Sequence, residues 1–241
     1  MIMTAEDKGT LYLIPSPLGE YEPSKVIPAP TFELLRHIDT YIVEEERTVR
    51  RYLSAAGLRG HINELKLVVL NEHSTKAEVE AMLSLFDEGR DVGLISEAGL
   101  PAVADPGANL VALCHRHGIK VIPQVGPSSL MMALMASGLN GQRFAFTGYL
   151  PAKTEERRNA LRTLEKRSAA ANESEIIIET PYRNDSFFAD ILQVCQPQTR
   201  VCIAADITTE EEYIMTRTVA EWRRAVPSIG KRPCVFIILG K

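Results

Sequence analysis

The sequence predicts an α/β protein of two domains, a mostly parallel sheet with flanking helices followed by a mixed α/β sheet domain. Three observations carry this. Apolar strands alternate with helical patterns from Thr10 to Ala136, as in a parallel sheet covered by helices. The texture changes after the break Gly138–Gly141, where strands begin to outnumber helices. The last run, Cys234–Leu239, is almost wholly apolar, as a central strand is. The boundary falls near Gly138–Phe146, giving an N-terminal domain over 1–142 and a C-terminal domain over 143–241.

Element by element, Thr10–Ile14 reads as a strand ending in a Pro-Ser-Pro-Leu-Gly turn. Phe32–Ile38 reads as a short helix, Tyr41–Val43 as a strand, and Arg47–Ala56 as a helix that Gly57 ends. After the strand Leu67–Leu70, Thr75 and Glu78 are spaced as a capping box opening a helix to Asp87, with Gly89 near its C-cap. Val92–Ile95 and Lys120–Ile122 are strands, each followed by a helix, Ala108–His117 and Ser128–Ala136. In the second domain Phe144–Thr147 is a strand and Thr154–Ala171 a long charged helix. Glu175–Glu179, Arg200–Ala204 and Tyr213–Arg217 are extended, and Glu211–Thr218 alternates as a half-buried antiparallel strand would.

Composition narrows the function classes. With 45% hydrophobic and 24% charged residues the chain is neither disordered nor fibrous, and a net charge of −4 argues against a wholly basic nucleic-acid coat. Cys114, Cys195, Cys202 and Cys234 lie apart, in or beside apolar runs, and read as small buried hydrophobes in a reducing compartment. No apolar stretch reaches membrane-spanning length and Met1–Lys8 lacks a basic-then-apolar leader, so a cytosolic protein is expected.

Chemistry concentrates in the loops that follow strands. Ser96–Gly107 holds two glycines and two prolines within Gly99–Gly107, a stiff bend that exposes backbone donors and acceptors to a small polar ligand. Taken alone, such a short loop reads first as a tight strand-to-helix connection whose Asp105 caps the next helix. Gly126–Ser129 precedes another helix, where Ser128 or Ser129 reads either as a ligand donor or as a plain N-cap. Pro15–Gly19 is a third such loop on the same sheet edge, and three together favour a ligand cleft. Dinucleotide, Walker, zinc and G-x-S-x-G signatures are absent, and no metal is expected.

These segments, in order, resemble the tetrapyrrole-methylase (precorrin methylase-like) superfamily of S-adenosylmethionine enzymes, and within it the 16S ribosomal RNA cytidine 2′-O-methyltransferase family. The family's strand and T-P-I-G-N-L turn is similar to Leu11–Glu20, and its A-E-D-T-R-x-T-R-x-L-L stretch resembles Val43–Leu53. Its S-D-A-G-T-P-x-x-S-D-P-G loop resembles Ser96–Gly107, and P-G-P-S-A resembles Val125–Ser129. G-F-L-P-x-K-x-x-x-R is similar to Gly148–Lys153 with Arg157 and Arg158, Y-E-S-P-H-R to Glu179–Arg183, and H-E-H-N loosely to Asn71–Ser74. The rim departs from the pattern at Glu20–Lys25, at Glu45-Glu46 and at Leu100.

The resemblance implies a cofactor, S-adenosylmethionine, in the cleft between the two domains. Pro17, Gly99, Leu100, Val103, Ser128 and Ser129 would contact it, with Glu179, Ala205, Pro233 and Cys234 from the second domain. Glu45, Glu46 and Glu179 are candidates for the base that a ribose hydroxyl needs, with Lys153 as a further catalytic or anchoring group, although each carboxylate also reads as a solvated charge. Arg47, Arg50, Arg51, Arg157, Arg158 and Arg183 are the candidate RNA contacts. The later helix, with Arg162, Lys166 and Arg167 added, reads equally as a solvated face laced with Glu155, Glu156 and Glu165. Implied partners are ribosomal RNA or the small ribosomal subunit and a second copy of the chain. C-methylation of a tetrapyrrole, or a binding module without activity, are the alternatives.

Overall fold

The computed structural model describes residues 8–241; Met1–Asp7, most of the segment read above for a leader, lie outside it. Two compact units follow one another, the first reaching Ser128 and the second beginning at Ser129, ahead of the break at Gly138–Gly141.

The first unit runs β1 (Thr10–Leu13), α1 (Ala29–Leu35), β2 (Thr40–Val43), α2 (Glu46–Leu53), β3 (Lys66–Val69), α3 (Lys76–Ala81), β4 (Val92–Ile95), α4 (Gly107–Arg116) and β5 (Lys120–Pro123). Its five strands lie in the order β3-β2-β4-β1-β5, every pair parallel. Alternation along each strand sorts the side chains onto two faces. Leu11, Ile42, Val92 and Leu94 join the core under α3 and α4. Ile14, Tyr41, Val43 and Ile95 join the core under α1 and α2.

Local sequence explains the ends. Pro28 and Pro30 start α1 at Ala29, earlier than the apolar spacing at Phe32 suggests, because proline suits the first helical turn. Thr75 and Glu78 form the expected capping box. The helix from Arg47 is instead capped by Glu45, and its tail loosens into a wider turn over Ser54–Leu58 containing Gly57.

The second unit comprises α5 (Ser129–Ser137), β6 (Phe144–Gly148), α6 (Thr154–Ala171), β7 (Ser174–Ile178), α7 (Asn184–Val194), β8 (Arg200–Ala205), β9 (Tyr213–Thr218), α8 (Val219–Trp222) and β10 (Cys234–Leu239). The sheet order is β6-β7-β10-β8-β9, with β6 and β7 parallel and the remaining pairs antiparallel. β10 is central and buried throughout, as its apolar run predicts. One face packs Phe187, Phe188, Trp222 and Phe236 beneath α6, α7 and α8. Helix α5 contacts β8, β9 and β10, and Thr216 Oγ1 donates to the Ser137 carbonyl at 2.7 Å. That packing is why α5 belongs with this sheet although it continues the βα rhythm of the first unit. All four cysteines are buried and free, and burial pushes the Cys195 and Cys234 thiols up to about 12.

No helix among the described residues is long and apolar enough to cross a membrane.

Candidate functional site

In the first unit the chain leaves β1 toward β2 and β3 but leaves β4 toward β5, on the opposite side. The carboxyl ends of β1 and β4 therefore flank the point where the strand order reverses, the place where open parallel sheets bind ligands. Pro15–Gly19 follows β1 and Ser96–Gly107 follows β4, so topology puts both predicted loops at this point.

Their backbones hold each other. Ser16 N donates to Gly99 O at 2.9 Å, Gly99 N returns a bond to Ser16 O at 3.1 Å, and Ser16 Oγ donates to Ser96 O at 3.2 Å. Within Pro15-Ser16-Pro17 only Ser16 has an amide hydrogen, and it is used here. Gly99 sits at φ +77°, which favours glycine. The third loop closes against the first: a Cβ on Gly126 would stand 2.2 Å from Pro15 Cβ. Ala102 and Ala104 also adopt positive φ, at 65° and 59°, so Ser96–Gly107 is a strained loop held from outside. Of the residues expected at the cofactor, Gly99 is buried, Pro17 and Leu100 are half-buried, and Val103 is exposed.

The acidic residues divide differently from expectation. Glu45, a candidate base, is the N-cap of α2: its carboxylate accepts from Arg47 N at 2.9 Å and Thr48 N at 2.6 Å. Those hydrogen bonds hold its pKa below the usual range, as suits a cap. Its neighbour Glu44, passed over in the sequence, has the opposite environment. Burial raises its pKa despite a bond from Glu97 N at 3.2 Å, and Asp105 beside it raises it further. Burial raises Asp105 too, although Asp105 Oδ1 accepts from Gly107 N at 2.6 Å; the N-cap position of α4 itself is Pro106, not Asp105. The signal for Glu44 was its place at the end of a buried strand, β2. Glu46 is exposed and lies 3.7 Å from Arg50 Nε.

In the second unit, register gathers the expected residues. Cys234 pairs with Ala205 across β10 and β8, and Glu179 follows Ile178, the partner of Val235, so Glu179, Cys234 and Ala205 lie in one row. Asp206 N donates to Pro233 O at 3.0 Å one step on. The Glu179 side chain is fully buried. Its Oε1 accepts from Thr180 N at 2.6 Å and Arg183 Nε at 2.9 Å, while Oε2 has no partner. A buried carboxylate oxygen without a donor is costly, and a ligand donor would satisfy it.

The arginines of α6 are engaged inside their unit. Arg157 is buried: Nε donates to Asp190 Oδ2 at 2.8 Å and Nη1 to Ala152 O at 2.8 Å. Arg158 Nε reaches Asp190 Oδ1 at 2.7 Å, and Arg167 binds Glu175. These groups tie α6 to α7 and to β7, as the ion-paired reading of this helix expects. Lys153 is exposed, 3.1 Å from Glu156. Arg183 is paired with Glu179. Arg47 and Arg51, on α2, are exposed, and Arg50 is half-buried.

Comparison with known proteins agrees with the geometry. The family model described as Tetrapyrrole (Corrin/Porphyrin) Methylases matches residues 30–222. A Ribosomal RNA small subunit methyltransferase I from Neisseria meningitidis serogroup B is 33% identical over 224 residues, covering 93% of this chain and 72% of the relative. One from Escherichia coli O157:H7 is 31% identical over 236 residues, covering 97% and 78%. A uroporphyrin-III C-methyl transferase from Thermus thermophilus, solved with S-adenyl homocysteine, superposes with a TM-score of 0.58 at 18% identity, over 96% of this chain and 97% of its own. The chain thus belongs to the tetrapyrrole methylase family and is a methyltransferase.

Proposed function

We propose that this methyltransferase transfers a methyl group from S-adenosylmethionine to a ribose 2′-hydroxyl of small-subunit ribosomal RNA. The observation that carries the donor assignment is the pair of main-chain bonds between Ser16 and Gly99, which fixes the Ser96–Gly107 loop at the strand-order reversal. The relatives named for ribosomal RNA, alike over nearly the whole chain, support the acceptor assignment.

S-adenosylmethionine supplies a methyl group on a sulfonium whose leaving group is a neutral thioether, so the protein's work is to position the acceptor and exclude water. In the first unit Pro17, Gly99, Leu100, Val103 and Ser128 are assigned to the donor, largely through backbone groups. In the second unit Ser129, Glu179, Ala205, Pro233 and Cys234 are assigned to it, and the unpartnered Glu179 Oε2 suits a hydroxyl or amine donor. The raised proton affinity of Glu44 favours it over Glu45 as the acceptor of the ribose proton. Arg47, Arg50 and Arg51 serve the RNA. The protein acts in the cytoplasm as a homodimer, an expectation that rests on the family resemblance and that sedimentation analysis checks.

Calorimetry with S-adenosylmethionine tests the donor, and absence of binding rejects it. Ribose methylation of ribosomal RNA from cells with and without the gene tests the acceptor; identical RNA rejects that assignment.

A further inference from the structure

We propose that a cavity in the first unit receives one unstacked nucleotide of the acceptor RNA, the base inside and a backbone phosphate at Arg51. This rests on the RNA reading above and assigns the acceptor a place. The cavity measures about 320 Å³, and Pro17, Leu18, Tyr21, Tyr52 and Ala55 form its apolar part. Arg51 and Glu20 belong to its lining and are paired with each other.

Position is the first support. Ser16 and Ala98 also line the cavity, so it adjoins the Ser16–Gly99 pairing that anchors the donor loop. A methyl acceptor has to lie beside its donor for an in-line transfer.

Shape and chemistry are the second. Tyrosine and aliphatic walls suit the faces of a base, and unpaired RNA is recognised by stacking of unstacked bases on such side chains. At about 320 Å³ the space lies at the small end of ligand pockets, enough for one nucleoside and far short of a duplex. The ring of Tyr52 is fixed, since its hydroxyl donates to Pro15 O at 3.0 Å. Tyr21 Oη accepts from Leu18 N at 3.2 Å, which folds this wall back on itself.

Charge is the third. The Arg51 side chain is 57% exposed and that of Glu20 is 85% exposed, so their ion pair contributes little and Arg51 exchanges it readily for a phosphate. Arg47 and Arg50 on the same helix add positive charge along the path of the flanking backbone.

The test uses the full chain and single-stranded oligoribonucleotides carrying one 4-thiouridine. Photocrosslinks mapped by mass spectrometry should fall on Tyr21, Tyr52 or their immediate neighbours. Ala55→Phe fills the cavity from an exposed position and should weaken RNA binding about tenfold, the loss of one stacked base. Arg51→Glu should weaken it and lower the salt slope by about one. Both variants should bind S-adenosylmethionine as the wild type does, with unchanged thermal unfolding. Crosslinks confined to other segments, no binding of the oligoribonucleotides, or RNA affinity unchanged in both variants overturn the proposal. Weakened S-adenosylmethionine binding by Ala55→Phe gives the cavity to the donor and overturns it as well. A wild type that binds RNA here but no S-adenosylmethionine leaves this site standing and sinks the donor assignment instead.

Discussion

Replacing Asp190 by alanine removes the carboxylate that holds two guanidinium groups, one of them buried. Arg157 and Asp190 each have only 4% of their side chain exposed, so water cannot take the place of the lost partner. Breaking one side of a buried pair is destabilising by about 3–5 kcal/mol, because the remaining charge stays buried. Arg157 keeps its bond to Ala152 O, which places Asp190→Ala near the lower end, at about 3 kcal/mol. The chain carries a single tryptophan, Trp222, and it lies in the core of the same unit. Urea unfolding followed by tryptophan fluorescence therefore reports this unit directly. The midpoint should fall with the slope unchanged. An Arg157→Met/Asp190→Leu double variant, which removes both charges, should recover much of the loss. A loss under about 1 kcal/mol in the single variant refutes the clamp. So does an Arg157→Met protein that keeps its stability but loses RNA binding, since Arg157 would then be a phosphate ligand after all.

Three further outcomes are expected. Gly126→Ala drives a methyl into Pro15 and should separate the loops after β1 and β5, lowering S-adenosylmethionine affinity in calorimetry; unchanged affinity contradicts the loop assembly. Glu44→Gln tests the raised carboxyl. Because the folded state holds that proton more tightly, the charged form penalises folding as pH rises from the ordinary 4.5 through the raised value. The variant should out-melt the wild type at about pH 8 and lose that advantage near pH 4, and the reverse order refutes the burial argument. Glu45→Ala should lower the melting temperature while Glu45→Asp keeps both stability and methyl transfer; loss of transfer at full stability in Glu45→Ala would restore Glu45 as a base.

The fold was legible where the backbone itself imposes a period. Apart from β9, which is legible from alternation, the strand cores stand out as apolar runs, and Cys234–Leu239 marks its own central position because both of its faces are covered. Helix α7 went unrecognised: Arg183 provides no side-chain cap, and the helix starts straight out of the Pro181–Arg183 turn. The loops of the site were legible because proline and glycine act locally. Electrostatic roles were not, since they depend on distant partners. Nothing near Arg157 in sequence announces Asp190, and Glu44 and Glu45 both accept amide bonds but differ in whether those bonds or burial dominates.

Main-chain hydrogen bonds have a property that side-chain contacts lack: substitution does not delete them. The Ser16–Gly99 pairing would survive any replacement of Ser16 except proline. The spacing of the donor loop is therefore insulated from changes in the side chains around it. Residues such as Glu20 and Tyr21 are then free to be exchanged for a new acceptor without rebuilding the donor site. A fold that separates its two specificities in this way, one written in backbone and one in side chains, is well suited to carrying many methyl acceptors.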